Sequence, residues 1–317
     1  MGSGVSSEEE RVRRLAACFA VAQPGVALGI GDDAAVLEPP LGKRLVWTVD
    51  AQVEGVHFRR AWLASLHDAG YRSFMAAASD VAAMGAEPWC ALSGLELPAD
   101  LGDDALDALT AGQRAAADEI GTSLVGGNLS RGPVLAITTT LLGTCETPIS
   151  RSGAREGDGL WLAGPVGLAA AGLTALASAR TDPRVDAAIA SWRTPVARIR
   201  DGRTLHGVAH AAIDVSDGLA RDLGHVAAAS GVRAVLDAAL LLEHAGELLA
   251  RAAEAVGRSA LDLILFGGED YALVAASALP LPGFTRVGEV RRGAGLGLRT
   301  GVREDELVPR GFDHFAR

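Results

Sequence analysis

Two adjacent carboxylates, Asp32 and Asp33, follow two glycines in the run Gly29-Ile30-Gly31-Asp32-Asp33-Ala34-Ala35-Val36-Leu37. A pair of charges in such small company asks for a cation. Similar acidic or amide positions recur in Gly-rich or apolar surroundings. They are Asp50 in Thr48-Val49-Asp50, Asp80 in Ser79-Asp80-Val81, Asn128 in Gly126-Gly127-Asn128, and Asp214 with Asp217 in Ile213-Asp214-Val215-Ser216-Asp217-Gly218. A hard cation such as Mg²⁺ takes oxygen ligands and usually shares them with substrate phosphates, so carboxylates from separate loops are the expected arrangement. The expectation is that these segments converge on magnesium ions and the phosphates of ATP.

Each motif also has a plain structural reading. Gly31-Asp32-Asp33 alone is more often a turn or a helix cap. Gly126-Gly127 lets backbone N–H groups approach a phosphate closely, or simply ends a strand. Ser216-Asp217-Gly218 either sets a phosphate on a helix N-terminus or caps that helix. The number of such segments shifts the balance toward a site. Neither a Walker A sequence nor a kinase glycine loop is present, so ATP would bind by another scheme. His206, His210 and Asp214 are spaced by four, but no His-Glu-x-x-His accompanies them and Asp214 falls in the following strand-like run, so the two histidines read as helix-exterior or core residues. Phe266-Gly267-Gly268-Glu269-Asp270-Tyr271 is a substrate-binding turn or a β-turn before a strand, and both readings stand.

The elements that must position these residues follow from periodicity. Residues 6–20 read as an amphipathic helix with Ser7 ahead of three glutamates. Arg44 to Val49 reads as a strand delivering Asp50 at its end, and the loop through Glu54, Gly55 and His57 is more like a site than a connector. A helix from about Leu63 to Met84 puts Asp80 within about a turn of its C-terminus, where the macrodipole disfavours an anion and a cation would remove the objection. Further on come a strand at 89–97, a helix at 105–120, a short strand at 123–125 emptying into Gly126-Gly127-Asn128, and a strand at 133–143. The polar, glycine-bearing stretch from Thr147 to Gly159 marks a domain boundary, giving domains of 1–147 and 148–317. Beyond it strands (160–163, 211–215, 232–236, 271–275, 285–290) alternate with helices (167–179, 196–210, 219–230), which argues α/β or α+β layering.

The bulk properties bound the function. With 317 residues, 49% apolar and 21% charged, the chain suits two soluble domains. Its 29 basic against 39 acidic residues give a net charge of −10, which argues against a nucleic-acid partner. Cys18, Cys90 and Cys145 are widely spaced and form no Cys-x-x-Cys pair, so a reducing, cytoplasmic setting fits. No apolar run approaches the roughly 20 residues that span a bilayer, so no membrane role is expected.

Taken in order, these segments resemble the thiamine-monophosphate kinase family of the aminoimidazole-ribonucleotide-synthetase-like ATP-binding superfamily. The resemblance runs through Gly29–Leu37, Thr48–Phe58, Ser79–Pro88, Gly126–Arg131, Ser150–Gly153, Ala212–Leu223, Phe266–Tyr271 and the terminal Gly311-Phe312-Asp313-His314-Phe315. It implies transfer of the γ-phosphoryl group of ATP to thiamine monophosphate by direct in-line attack, with several Mg²⁺ ions and with K⁺ as a further candidate ion. By motif match Asp33, Thr48, Asp50, Asp80, Asp214 and Asp217 would hold magnesium, with Asp32 supporting and Asn128 contributing an amide oxygen. Gly127, Asn128, Arg151 and Ser216 would contact ATP, and His57, Glu269 and Phe312 the thiamine substrate. The implied fold is an N-terminal α/β domain whose sheet pairs with a dimer mate into a barrel, followed by an α+β domain, with ATP between them. The homodimer is likewise implied. Two departures stand out: the family commonly has Asp where this chain has Asn128, and Val49 replaces the threonine of the usual Thr-Asp pair. Selenophosphate synthetases, a sister family, depend on a nucleophile in a glycine-rich segment, whereas Cys18 lies in a helical run. The alternatives are a catalytically weak nucleotide- or thiamine-phosphate-binding protein, motivated by Asn128, and a related enzyme acting on another phosphorylated metabolite.

Overall fold

The computed structural model describes residues 7–19, 23–312 and 315. Two compact units emerge, one of residues 1–81 with 86–147 and the other of 82–85 with 148–317. Asp313 and His314 of the terminal motif, and residues 6 and 20 of the expected first helix, lie outside the described residues.

The first unit runs α1 (Glu8–Cys18), β1 (Val26–Leu28), β2 (Val36–Leu37), β3 (Arg44–Val53), α2 (Leu66–Ala83), β4 (Glu87–Leu97), α3 (Asp103–Ile120), β5 (Leu124–Arg131) and β6 (Ala136–Cys145). Ser7 caps α1 by accepting the Glu10 N–H at 3.3 Å. Its principal sheet has the order β3-β6-β4-β5, antiparallel except for the β4–β5 pair that α3 connects. Period-2 alternation gives the sheet two unlike faces. Val46 and Gln52 of β3 are buried, whereas Leu45, Trp47 and Val49 are exposed. The helical layer seats on the buried side, where a Cβ at Gly143, the register partner of Val46, would meet Val81 of α2 at 2.7 Å.

Two expectations about this unit are corrected. β3 pairs with β6 as far as Val53↔Ala136, so Asp50 lies within the strand rather than at its end. β5 likewise continues to Arg131 in parallel register with β4, so Gly126-Gly127-Asn128 is strand rather than the loop after one. In both cases ladder hydrogen bonds to a neighbour outweigh local turn propensity.

The second unit contains β7 (Gly159–Ala163), α4 (Leu168–Ala177), α5 (Asp186–Arg193), α6 (Ile199–Thr204), β8 (Ala211–Val215), α7 (Leu219–Ser230), β9 (Arg233–Asp237), α8 (Ala238–Val256), α9 (Ala260–Phe266), β10 (Ala272–Ser277), β11 (Thr285–Arg291), β12 (Gly295–Thr300) and β13 (Arg303–Leu307). The sheet order is β13-β12-β9-β11-β7-β10-β8, with β12–β9 its parallel pair. Leu160, Leu162, Ile213, Val215, Leu236, Leu241, Val274 and Val287 belong to the core that joins it to the helices.

Here the expected long helix over 196–210 reduces to the short α6. Gly202 falls within it, and Gly207 adopts φ +69 just beyond, a conformation that ends a right-handed helix. The sequence reading placed no element over 238–256, where α8 lies. Its signal was Asp237, whose carboxylate accepts the Ala239 and Leu240 N–H groups as an N-cap does.

Candidate functional site

The site residues expected from the sequence fall into three sets, two in the first unit and one in the second. On the helix-facing side of β3, Thr48 and Asp50 alternate with Val49, and the Thr48 hydroxyl donates to the Asp80 carboxylate of α2 at 2.5 Å. Asp80 is three residues from the end of α2, so the bond answers part of the dipole's objection to an anion there. Asp80 therefore faces the sheet rather than the solvated outer side of the helix. His57 occupies the tight turn after β3, its Nδ1 accepting the Val53 N–H at 3.0 Å.

The second set lies on the opposite face. Gly31, Asp32, Asp33, Gly126, Gly127 and Asn128 line one cleft of about 1050 Å³. The acidic turn and the glycine pair, separated by more than ninety positions, are brought together as expected. Asp32 accepts the backbone N–H of Asp33 at 2.8 Å. Gly127 is required by packing, since a Cβ there would stand 2.0 Å from the Ser93 carbonyl oxygen.

In the second unit Asp214, Ser216, Asp217, Glu269 and Phe312 gather around the β8–α7 turn. Asp214 is buried near the end of β8, opposite Leu273 of β10. The carbonyl of Ser216 accepts the Glu269 N–H at 2.8 Å, and that of Asp217 accepts the Phe312 N–H at 3.0 Å. Arg221 stands 3.5 Å from the Asp217 carboxylate and also donates to the Phe312 carbonyl. The turn's own N–H groups are already engaged: those of Ser216, Asp217 and Gly218 donate to Oδ2 of Asp222 at 3.0, 3.1 and 3.2 Å. Asp222 thus ties the turn to α7 through its backbone, and no side chain of Ser216-Asp217-Gly218 caps the helix, whose N-cap is Gly218. Arg151 is placed apart from this cluster. Its carbonyl accepts from Ser230, the last residue of α7, and Ser150 accepts the N–H of Ala212 at the start of β8.

The donor set suits magnesium in kind, comprising carboxylate, hydroxyl and amide oxygens without thiolates. Burial first, then the charges of Asp214 and Asp217, push the Asp222 carboxyl up to about 7. Among the described residues no three His, Cys, Asp or Glu side chains could by themselves hold a metal ion. An ion bound at any of the three sets must therefore complete its shell with other oxygens, as Mg²⁺ does with phosphates and water.

Comparison with known proteins decides the family. Residues 31–145 match the family model for the AIR synthase related protein, N-terminal domain. The thiamine-monophosphate kinase of Aquifex aeolicus is 33% identical over 90% of this chain and 92% of its own length. That of Escherichia coli K12 is 35% identical over 92% and 93%. The chain belongs to the thiamine-monophosphate kinase family. Two solved structures of the family agree with this placement. The kinase from Stenotrophomonas maltophilia K279a superposes with a TM-score of 0.80 at 32% identity, covering 91% of this chain and 94% of that one. AaThiL complexed with AMPPCP and TMP gives 0.81 at 30% identity, covering 97% of each chain. The hydrogenase maturation protein HypE in complex with ATP shares the fold at 20% identity, with a TM-score of 0.76 over 99% of this chain and 97% of its own.

Within this thiamine-monophosphate kinase family member, two structured carboxylates were missed as site components by sequence reasoning. Asp222 organises the Ser216–Gly218 turn, and its signal was an Asp four residues after Gly218. Asp270 is 4% exposed and accepts the N–H groups of Gly167 and Ala169 at 2.6 and 3.0 Å. Its position beside Glu269 was visible, but its partners are about a hundred residues away.

Proposed function

We propose that this protein is a thiamine-monophosphate kinase that transfers the γ-phosphoryl group of ATP to the phosphate of thiamine monophosphate, giving thiamine diphosphate and ADP. A phosphate oxygen of thiamine monophosphate attacks the γ-phosphorus in line. The bond from that phosphorus to the β–γ bridging oxygen breaks, and its electron pair leaves with ADP. Protein groups then act by positioning and by neutralising charge, as phosphoryl transfer demands. The observation that carries the reading is the gathering of Ser216, Asp217, Glu269 and Phe312 around one turn, in a chain similar to these kinases over nine-tenths of its length.

Asp33, Thr48, Asp50, Asp80, Asp214 and Asp217 hold magnesium, with Asp32 and Asn128 in support. Magnesium supplies charge neutralisation at the phosphates when bound. Gly127, Asn128, Arg151 and Ser216 contact ATP, while His57, Glu269 and Phe312 contact thiamine monophosphate. The first unit thus supplies most ion and phosphate ligands and the second completes the nucleotide and substrate contacts. K⁺ is a further ion to include in assays. The protein works in the cytoplasm, consistent with its three free cysteines, and as a homodimer built on the exposed face of the β3-β6-β4-β5 sheet.

The test is formation of thiamine diphosphate and ADP from ATP, Mg²⁺, K⁺ and thiamine monophosphate, by wild type and by Asp50→Ala. Stoichiometric products, reduced about 100-fold or more in the variant, are expected from loss of a shared metal ligand. Bound ATP without product, in the wild type and in Asn128→Asp alike, would replace this reading with that of a binding protein.

A further inference from the structure

Among the described residues, three non-glycines have positive φ, and two of them flank one buried carboxylate: Glu269 at +69° and Tyr271 at +50°, either side of Asp270. Such angles are uncommon outside glycine and persist only where the surroundings over-determine them. The surroundings here do so from both sides. The N–H groups of Glu269 and Tyr271 are held by the Ser216 and Val215 carbonyls at 2.8 and 2.9 Å, at the end of β8. From the other side Asp270 reaches the first turn of α4, one carboxylate oxygen accepting the Gly167 N–H and the other the Ala169 N–H. The backbone of the turn lies close against the end of β8, where a Cβ at Gly268 would stand 2.2 Å from the Ser216 oxygen, so only glycine fits at that position.

We infer that Asp270 is a positioning residue for substrate recognition: by bolting the turn to α4 it holds Glu269 in a left-handed conformation that directs the Glu269 side chain to thiamine monophosphate. The inference rests on the reading of Glu269 as a substrate contact. An ordinary structural anchor would affect both substrates through stability, whereas Asp270 acts through Glu269 and so acts on one of them. Asparagine at 270 keeps an acceptor for one of the two N–H groups but turns a donor toward the other, so it releases the turn while preserving shape and volume.

Steady-state kinetics of wild type, Asp270→Asn, Glu269→Ala and the double variant, with crystal structures of wild type and Asp270→Asn, test this. Asp270→Asn should raise KM for thiamine monophosphate about fivefold or more and leave KM for ATP within about twofold. It should add nothing to the thiamine-monophosphate KM once Glu269 is alanine. The crystal structure should show Glu269 leaving positive φ. An unchanged thiamine-monophosphate KM, equal losses for both substrates, or full additivity in the double variant would overturn the inference. If wild type makes no thiamine diphosphate, the kinase reading alone fails, and the structure of the variant decides this point: a retained left-handed Glu269 refutes it. Should Asp270→Asn not fold, Asp270→Glu displaces the same contact by one methylene while keeping the charge, and it must give the same split.

Discussion

Asp270 shows how little room a single side chain can have. Burial pushes its carboxyl up to about 7, against the pull of the two backbone N–H groups that favour the anion. The sign of the linkage follows directly. A carboxyl whose folded pKa lies above its unfolded value, about 4, contributes stability that is complete below pH ~4 and is lost as pH rises through about 7. Chemical denaturation of wild type and Asp270→Asn between pH 4.5 and 8 should therefore show the stability gap between them narrowing as pH rises. A gap that widens would mean the N–H groups outweigh burial. The neighbouring Ser216–Gly218 turn illustrates the same economy, for its three N–H groups, suited by position to a phosphate, are satisfied internally by Asp222.

At the scale of elements, the layer behind the first sheet depends on close backbone approach. A Cβ at Gly70 of α2 would stand 2.0 Å from the Leu109 carbonyl oxygen of α3, and one at Gly112 of α3 would stand 2.0 Å from the His67 oxygen of α2. Two competing effects meet at Gly70→Ala. Helix propensity favours alanine by ~1 kcal/mol, while overpacking costs typically ~1–3 kcal/mol and more where backbone rather than a flexible side chain must yield. Backbone is what blocks here, so a net loss of about 2 kcal/mol in urea denaturation is expected. Because α2 carries Asp80 to Thr48, activity should fall with it. A stabilised Gly70→Ala protein would show that the helices can separate without cost.

For the whole molecule, the outer face of the β3-β6-β4-β5 sheet carries the assembly question. Trp47 is 73% exposed although its indole N–H already bonds Thr140 at 2.8 Å, and Leu45 and Val49 stand beside it on the same strand face. A contiguous apolar patch of this kind marks an interaction surface more often than a solvated one. Under the proposed homodimer, Trp47→Glu should convert a dimer of twice the chain mass to a monomer in light scattering, with the fold intact by circular dichroism. A wild type that is monomeric at micromolar concentration would remove the assembly from the proposal.

Much of this was legible in residue types and order. Eight short segments identified the family, because glycines next to carboxylates at those places are chemical requirements that random drift does not reproduce together. Helix ends were readable where capping was local, as at Ser7, and strand β8 with helix α7 fell where the periodicity put them. Turn chemistry misled where a distant strand competed for the same backbone, as at Asp50 and at Gly126-Gly127-Asn128, since ladder bonds are invisible in a local window. Only the tertiary structure could place Thr48 against Asp80, open the cleft that joins Asp33 to Asn128, and seat Asp270 on α4. Those contacts join residues 32 to about 100 positions apart. Sequence determines which groups are available to such a contact, but the pairing itself depends on sheet register and helix packing, which are properties of the folded chain.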